Sequence, residues 1–284
     1  MERKFFYVPE MRRDDVKKAV QDGAILLVPI ATIEQHGPHA PYQTDIDNVT
    51  CICLEVAKRL NPDPRVLVAP PIWFSPSPFD VETYPCCVKM RREVYMDALN
   101  DILETYLRSG FKRIIVVNGH GGGTERWIPQ VIDRINWTKK SLIWPDWRIP
   151  TDVQVYGFCY ISFLGEFAAE ELAQIRKSPL GSDWHGGDIE TSLQLYLHPD
   201  LVDMSKAKKG WMYIPTKYAP SDLVNWHRQF IIDGYYPPGV KGEEDGISGD
   251  PTLSSRELGE KIFELAVSKI SEFVKEVASF MKSR

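Results

Sequence analysis

The sequence predicts an α/β fold, a three-layer α/β/α sandwich around a mainly parallel sheet. Short runs of consecutive apolar residues occur at 24–30, 66–69 and 114–117, and such runs are typical of strands that are buried on both faces. Segments with helical spacing separate the runs. Because parallel strands joined by helices are the economical topology for an alternating order, we expect these strands to share one sheet.

Local signals support each predicted element. The second strand is closed by Pro70 and Pro71, and the helix before the third strand stops at Gly110. The third strand continues directly into the sequence Asn118-Gly-His120. In chain order, the predicted strands and helices are β 24–30, α 48–60, β 66–69, α 91–108, β 114–117, α 125–135, β 141–144, β 153–163, α 166–176 and α 189–197.

We expect residues 1–284 to form a single domain. Residues 207–252 are rich in aromatic residues, glycine and proline and show little periodicity, so we interpret them as a functional covering loop region. Residues 253–284 are predicted to form a C-terminal helix. It would open at Ser254-Ser-Arg-Glu257, which has the spacing of a capping box.

Composition excludes several classes of function. The chain has 284 residues, of which 43% are hydrophobic and 26% charged, and its formal net charge is −5. Charges of both signs are spread along the chain without long runs of either, which argues against nucleic acid or an anionic membrane surface as the partner. We find neither a signal peptide nor about 18 uninterrupted apolar residues, and expect a soluble cytoplasmic protein. The five cysteines lack zinc-knuckle or redox spacing and are predicted to be reduced.

Three segments combine histidine, carboxylates and glycine. They are 32–39, with Asp45 and Asp47 shortly after it, then 118–123, and 183–192. The first two directly follow predicted buried strands, and ligands of open α/β sheets bind beyond the carboxyl ends of strands. Taken singly, each segment could be a turn or a helix cap. Together they predict a mixed imidazole and carboxylate metal site that suits zinc, manganese or iron(II).

These segments resemble the three signatures of the creatininase family, in order and in spacing. The matching sequences are Glu34-Gln-His36-Gly-Pro-His39 with Thr44-Asp45, Asn118-Gly-His120-Gly-Gly122, and His185-Gly-Gly-Asp-Ile-Glu190-Thr-Ser192. The similarity covers most of residues 24–200. It implies a three-layer α/β/α fold, two divalent metal ions per chain, a small-molecule substrate and a homo-oligomer, often a hexamer.

The resemblance also implies roles for individual residues. Glu34 and His120 would be ligands of one metal ion and His36 a ligand of the other. Asp45 would bridge the two ions. His185 matches the catalytic histidine of the family, which would move a proton or polarise the substrate carbonyl.

Two departures from the family pattern bear on the substrate. Creatininase proper has a glutamate ligand where this chain has Gly122, and a glutamate before the catalytic histidine where this chain has Trp184. We therefore assign Glu190, the carboxylate of the third signature, to the second metal ion. The same departures argue against creatinine itself. The pattern Asn118-Gly-His120-Gly-Gly122 is more similar to other members, which include a formamide deformylase, a peptide-processing enzyme and a hydrolase that opens an oxidised inositol ring.

The sequence hypothesis is a hydrolase of a small polar metabolite. The favoured reaction is cleavage of a C–N bond in a cyclic or formyl amide by metal-activated water. One alternative is hydrolytic C–C ring opening of a cyclic polyhydroxy ketone of the inosose type, and another is a non-catalytic metabolite sensor that retains its metal site. Trp73, Trp147 and Trp211 are candidates for the wall of the substrate pocket, with ordinary packing as the alternative.

Overall fold

Strands and helices alternate through most of the chain. The computed structural model describes residues 5–77, 79, 81–121, 124–210, 221–222 and 245–282. Short 3-10 and π turns aside, the described elements are α1 (Arg13–Gln21), β1 (Ile25–Ile30), α2 (Thr44–Leu60), β2 (Val66–Val68), α3 (Arg92–Arg108), β3 (Arg113–Asn118), α4 (Thr124–Asp133), β4 (Gln154–Cys159), α5 (Tyr160–Phe167), α6 (Ala169–Ile175), β5 (Ser182–Asp183), α7 (Asp188–Leu197), β6 (Ser221–Asp222) and α8 (Arg256–Lys282).

The central sheet has four parallel strands in the order β2-β1-β3-β4. Ile25 of β1 pairs with Val66 of β2 on one side and with Arg113 of β3 on the other. Arg113 in turn pairs with Gln154 of β4. Because all four strands run in the same direction, their carboxyl ends lie at one edge of the sheet, which confirms the predicted parallel arrangement.

Two hydrophobic cores lie on opposite faces of this sheet. In β1, Ile25 and Leu27 pack into the core that contains the apolar faces of α2, α7 and α8. The alternate residues Leu26, Val28 and Ile30 pack into the other core, with α3 and α4. Successive side chains of a strand point to opposite faces. An uninterrupted apolar run therefore places one core on each side, and the three-layer α/β/α fold is confirmed.

The strand predicted at 141–144 is wrong. These residues form no sheet pairing, because their polar groups bind the buried carboxylate of Glu104. The Ser141 hydroxyl and the backbone amides of Leu142 and Ile143 all donate hydrogen bonds to it. A carboxylate from α3 thus replaces the neighbouring strand that this apolar stretch would otherwise require.

Several predicted boundaries also need correction. The strand predicted at 153–163 ends at Cys159, where α5 begins, since an apolar run alone does not separate a strand from a buried helix. Helix α2 begins four residues earlier than expected, at Thr44, and α6 begins at Ala169. At the start of α8, the Ser255 hydroxyl accepts from the Leu258 amide at 3.2 Å, so Ser255 is the cap in place of the predicted Ser254.

The predicted covering region lies largely outside the described residues. Within 207–252, the structure describes 207–210, 221–222 and 245–252. Trp211, predicted to line the substrate pocket, and Gly122, one of the two departures from the family pattern, lie outside the described residues. Within the part of the chain that is described, none of the helices combines the length and apolar character that crossing a membrane requires.

Glu104 is expected to stabilise the fold strongly. Its carboxylate is fully buried and accepts from Ser141, Leu142, Arg134 and Asn100. Burial alone would raise the pKa of Glu104, but these hydrogen bonds hold it below the ordinary value. Glu104→Gln should therefore lower the free energy of unfolding by about 2–4 kcal/mol at neutral pH, because buried donors lose a charged acceptor.

Urea denaturation measures this loss, with Glu93→Gln as the control, since Glu93 lies on the same helix and is exposed. A lowered carboxyl pKa stabilises the folded state above the ordinary pKa of glutamate, ~4.3, and the benefit disappears as the pH falls. The difference between Glu104→Gln and the unchanged protein should therefore shrink below that pH. If Glu104→Gln were as stable as Glu93→Gln at neutral pH, this role for Glu104 would be contradicted.

Candidate metal centre

The candidate ligands meet at the carboxyl edge of the sheet. Glu34 and His36 lie in the loop after β1, and His120 follows β3, the neighbouring strand. Asp45 lies in the first turn of α2 and Glu190 in the first turn of α7. Because β1 and β3 are adjacent and parallel, two loops that are far apart in sequence converge at one point.

Asp45 lies between two groups of potential ligands. Its Oδ1 is 3.0 Å from His36 Nε2, and its Oδ2 is 3.1 Å from His120 Nδ1. Glu34 Oε1 is also 3.1 Å from His120 Nδ1, and Glu190 Oε2 is 3.8 Å from His36 Nε2. The ligand atoms of Glu34, Asp45 and His120 lie within 4.8 Å of one another, as do those of His36, Asp45 and Glu190. The two groups share Asp45.

This donor set fits divalent metal ions. Glu34, Asp45 and Glu190 are buried, and within the described residues their ion pairs are all with histidines. With protons as the only cations, burial would lower the pKa of His36, but the charge of Asp45 raises it to about 9. The negative charge of these buried carboxylates therefore favours a bound cation. Mixed imidazole and carboxylate donors are those that zinc and manganese accept.

Hydrogen bonds hold the ligand atoms toward the cluster. His36 Nδ1 lies 3.2 Å from the backbone oxygen of Glu34. Since a carbonyl oxygen can only accept, Nδ1 carries a proton, and Nε2, on the side of Asp45, is the nitrogen that a metal ion would use. The Ser77 hydroxyl donates to Glu34 Oε2 at 2.7 Å, which leaves Oε1 directed at His120.

His185 lies beside the two groups, with a defined tautomer. Its Nε2 is 2.6 Å from the backbone oxygen of Gln35 and must donate to it. The Nδ1 lone pair therefore faces Glu34 Oε1, 3.8 Å away. Burial, and next the neighbouring His36, lower the pKa of His185 to about 4, so the ring is neutral at pH 7. Glu34, His36 and His185 also form a third group within 4.8 Å, which leaves open a ligand role for His185.

The structure separates the two acids of the third signature. The amide of Gly186 donates to Glu190 Oε2 at 2.8 Å, and Glu190 faces His36. Asp188 instead accepts from the amides of Lys177 and Ser178, at 3.2 and 3.0 Å. Helical residues two positions apart point about 200° apart, so only one of these carboxylates faces the cluster.

Trp147 and Trp73, two of the aromatic residues proposed for the substrate pocket, lie in different parts of the structure. Trp147 packs against Trp144 and beneath Arg108, at the end of α3. Because α3 leads into the start of β3, this position is at the edge of the sheet opposite the cluster and gives no support to a pocket role. Trp73 is 42% exposed and lies in the loop just after Ile72, which bridges to Ile30 at the end of β1.

The residues around the candidate catalytic histidine carry no signature in the sequence. The ring of Phe79 lies 4.6 Å from that of His185, and the Gln35 carbonyl accepts from the same imidazole. Cys87 Sγ accepts from the Gln35 amide at 3.3 Å. In a sequence, helical or strand periodicity and polar motifs are the signals that identify such residues. A phenylalanine in a serine- and proline-rich loop offers neither.

Glu190→Gln is expected to weaken the binding of one metal ion and leave the other. Glu190 belongs to the group with His36 and not to the group with Glu34 and His120. Titration of metal-free protein with Co²⁺ should show one tight site in place of two. Glu171→Gln, an exposed glutamate on α6, is the control and should keep both sites. Two sites of unchanged affinity in Glu190→Gln would contradict the assignment.

Known proteins resemble this chain over nearly its whole length. The creatininase family profile, described as creatinine amidohydrolase, matches residues 9–274. A 3-dehydro-scyllo-inosose hydrolase of Thermotoga maritima is 23% identical over 95% of this chain and 83% of its own. A creatinine amidohydrolase of Pseudomonas putida is 26% identical over 96% and 97%. A mycofactocin precursor peptide peptidase of Mycolicibacterium smegmatis is 27% identical over 88% and 84%.

Solved structures agree with the fold. A creatininase variant of the Zn-Zn type superposes with a TM-score of 0.70 at 22% identity, over 95% of this chain and 97% of its own. A manganese creatininase gives a TM-score of 0.70 at 23% identity, over 95% and 98%. The family profile spans most of the sequence, and the buried cluster lies on the signatures that suggested the resemblance. The chain belongs to the creatininase family.

Proposed function

We propose that this metal-dependent hydrolase of the creatininase family cleaves an amide C–N bond in a small cyclic or formyl amide. The observation that carries the proposal is the position of Asp45 between two ligand groups, with His185 beside them. One ion would be held by Glu34, His120 and Asp45, and the other by His36, Glu190 and Asp45. Two such ions, when bound, supply a hydroxide nucleophile near neutral pH and polarise the substrate carbonyl.

His185 would move the proton that amide cleavage requires. Its ring is neutral at pH 7, and the Nδ1 lone pair is directed toward the cluster. Nδ1 would accept a proton from the attacking water and pass it to the departing nitrogen, which is a poor leaving group without it. The Gln35 carbonyl keeps Nε2 protonated and the ring in one orientation.

The surroundings of His185 favour a small substrate that is shielded from water. Phe79 packs against its ring, and Glu34 and Gln35 beside it are buried. Trp184, which stands where creatininase proper has an acid, is buried too. Because the chain lacks this acid, and has Gly122 where creatininase proper has a glutamate ligand, creatinine itself is not the expected substrate. Two of the three relatives named above, an amidohydrolase and a peptidase, are named for the cleavage of amide bonds, which supports the choice of a C–N bond.

A second candidate reaction is hydrolytic C–C ring opening of a cyclic polyhydroxy ketone. It is favoured by the likeness to the inosose hydrolase, which extends over 95% of this chain. In that reaction the proton held by His185 would be delivered to carbon and not to nitrogen, and no amine would be released.

A product analysis in H₂¹⁸O tests the proposal. Zinc- or manganese-loaded protein is incubated with creatinine, other lactams, N-formyl amides and inosose-type ketones, and the products are identified by mass spectrometry. Amide hydrolysis places one ¹⁸O in a carboxylate and frees an equal number of amino groups, on the ring-opened product of a cyclic amide and on a separate product of a formyl amide. Turnover of ketones alone, without an amine product, would replace the proposal with C–C cleavage. A protein that holds two ions and turns over none of these compounds would point to a metabolite sensor.

A further inference from the structure

The segment 181–185, which ends at His185, is held on both sides by residues that are distant in sequence. On one side, the His185 amide donates to the Ser248 carbonyl at 3.0 Å, and the Ser248 amide donates back at 2.9 Å. On the other side, β5 pairs with β6, so that Asp183 lies opposite Asp222. The backbone position of His185 therefore depends on residues 221–222 as well as on Ser248.

Asp222 holds this segment with its side chain as well as its backbone. The carboxylate is fully buried, and its Oδ2 accepts from the amides of Gly181 at 2.7 Å and Ser182 at 3.3 Å. Its Oδ1 accepts from Arg176 Nη1 at 2.9 Å. One carboxylate thus joins a buried guanidinium to the turn that leads into His185.

Arg176 is also held on the side of α7, through the Ser178 hydroxyl. Its Nη2 donates to the Ser178 hydroxyl at 2.6 Å, and that hydroxyl donates to Asp188 Oδ1 at 2.5 Å. Asp188 is the first residue of α7. A continuous series of charge-assisted hydrogen bonds therefore connects α7, through Arg176 and Asp222, to the backbone just before His185.

A role in stability alone would not require this arrangement. A buried ion pair gains little net stability, since removing two charges from water costs about as much as their attraction returns, and apolar residues of the same size often do as well. The pair instead fixes the orientation of the groups that bind to it, because a guanidinium and a carboxylate bind in defined geometry. The polar groups that it orients lie three and four residues before His185.

We propose that Arg176 and Asp222 form a positioning pair, which holds His185 at its working distance from the metal centre. The inference rests on the proposed proton transfer by His185. Asp222→Asn keeps the shape of the side chain and removes its charge, so turnover should fall at least about tenfold, as small misplacements of a reacting group do. The metal content and KM should stay within twofold. Arg176→Lys, which retains the charge and loses the fork, should show a smaller loss.

Combination with His185→Ala separates positioning from a general structural effect. Rates are measured on the amide found in the product screen. If Asp222 acts through His185, Asp222→Asn should cost less than about twofold in the His185→Ala background, because the effects of coupled residues are not additive. The same loss in both backgrounds would overturn the proposal. Glu264→Gln, which breaks the exposed pair with Arg59, is the control and should leave turnover unchanged.

Backbone hydrogen exchange gives a readout that is independent of substrate. Asp222→Asn should speed exchange at the amides of Gly181, Ser182 and His185 while exchange in β1 and β3 stays unchanged. Unchanged exchange at these amides would also overturn the proposal, and Arg176→Lys serves if Asp222→Asn does not fold. If His185→Ala with both ions bound turned over normally, the proposed role of His185 as proton carrier would fail, whereas amide hydrolysis would stand. Hydrogen exchange would then still show whether the Arg176–Asp222 pair holds this segment.

Discussion

Asp45→Ala is expected to lose both metal ions and with them all measurable hydrolysis. The Asp45 oxygens lie 3.0 and 3.1 Å from histidine nitrogens that belong to different ligand groups. Loss of any other single ligand leaves one group intact, whereas loss of this carboxylate removes a ligand from each. Elemental analysis of the purified variant should show far less than one ion per chain, against close to two in the unchanged protein.

Asp47→Ala is the matched control for this variant. Asp47 lies on the same first turn of α2, is only half-buried, and pairs with His198 and Gln43 outside both ligand groups. It should keep both ions and nearly full activity. An Asp45→Ala variant that retained one ion at normal affinity would show that Asp45 serves a single metal.

His185→Ala is expected to keep both ions and the fold while turnover falls about 10²–10⁴-fold, the usual contribution of a general acid–base group. The reason is its position, with Nδ1 directed at Glu34 and Nε2 fixed on the Gln35 carbonyl. Turnover and metal content are measured on one preparation. His198→Ala, a partly exposed histidine that pairs with Asp47, is the control and should remain active.

A ligand role for His185 predicts a different pattern. His185 shares a third possible group with Glu34 and His36. If His185 were a ligand, its replacement would lower metal content and activity together. Added metal would then restore part of the rate. Near-normal turnover with both ions bound would leave His185 structural and remove the proton carrier from the mechanism.

The sequence predicted those features that have a local pattern. Uninterrupted apolar runs identified β1, β2 and β3 because each strand is buried on both faces. The polar residues at the ends of β1 and β3 followed from the parallel topology. The resemblance to the family selected Glu190 as a ligand, and the structure places Glu190 and Asp188 in different surroundings.

Other features depend on contacts between residues far apart in sequence. The stretch 141–144 is apolar enough for a strand, but Glu104 on α3 binds its polar groups. The tautomer of His185 depends on the Gln35 carbonyl, and its backbone depends on Asp222. None of these partners has a sequence signature, because a backbone oxygen or a buried aspartate acquires its role only when the chain brings it there.

Anomalous diffraction from crystals of the unchanged protein, grown with zinc or manganese, tests the central claim most directly. We expect two peaks at the carboxyl edge of the sheet, roughly 3.5–4 Å apart, with one Asp45 oxygen about 2.0–2.2 Å from each zinc ion. Glu34 and His120 should complete one site, and His36 and Glu190 the other. A single peak, or two peaks of which Asp45 contacts only one, would contradict a dinuclear centre bridged by Asp45.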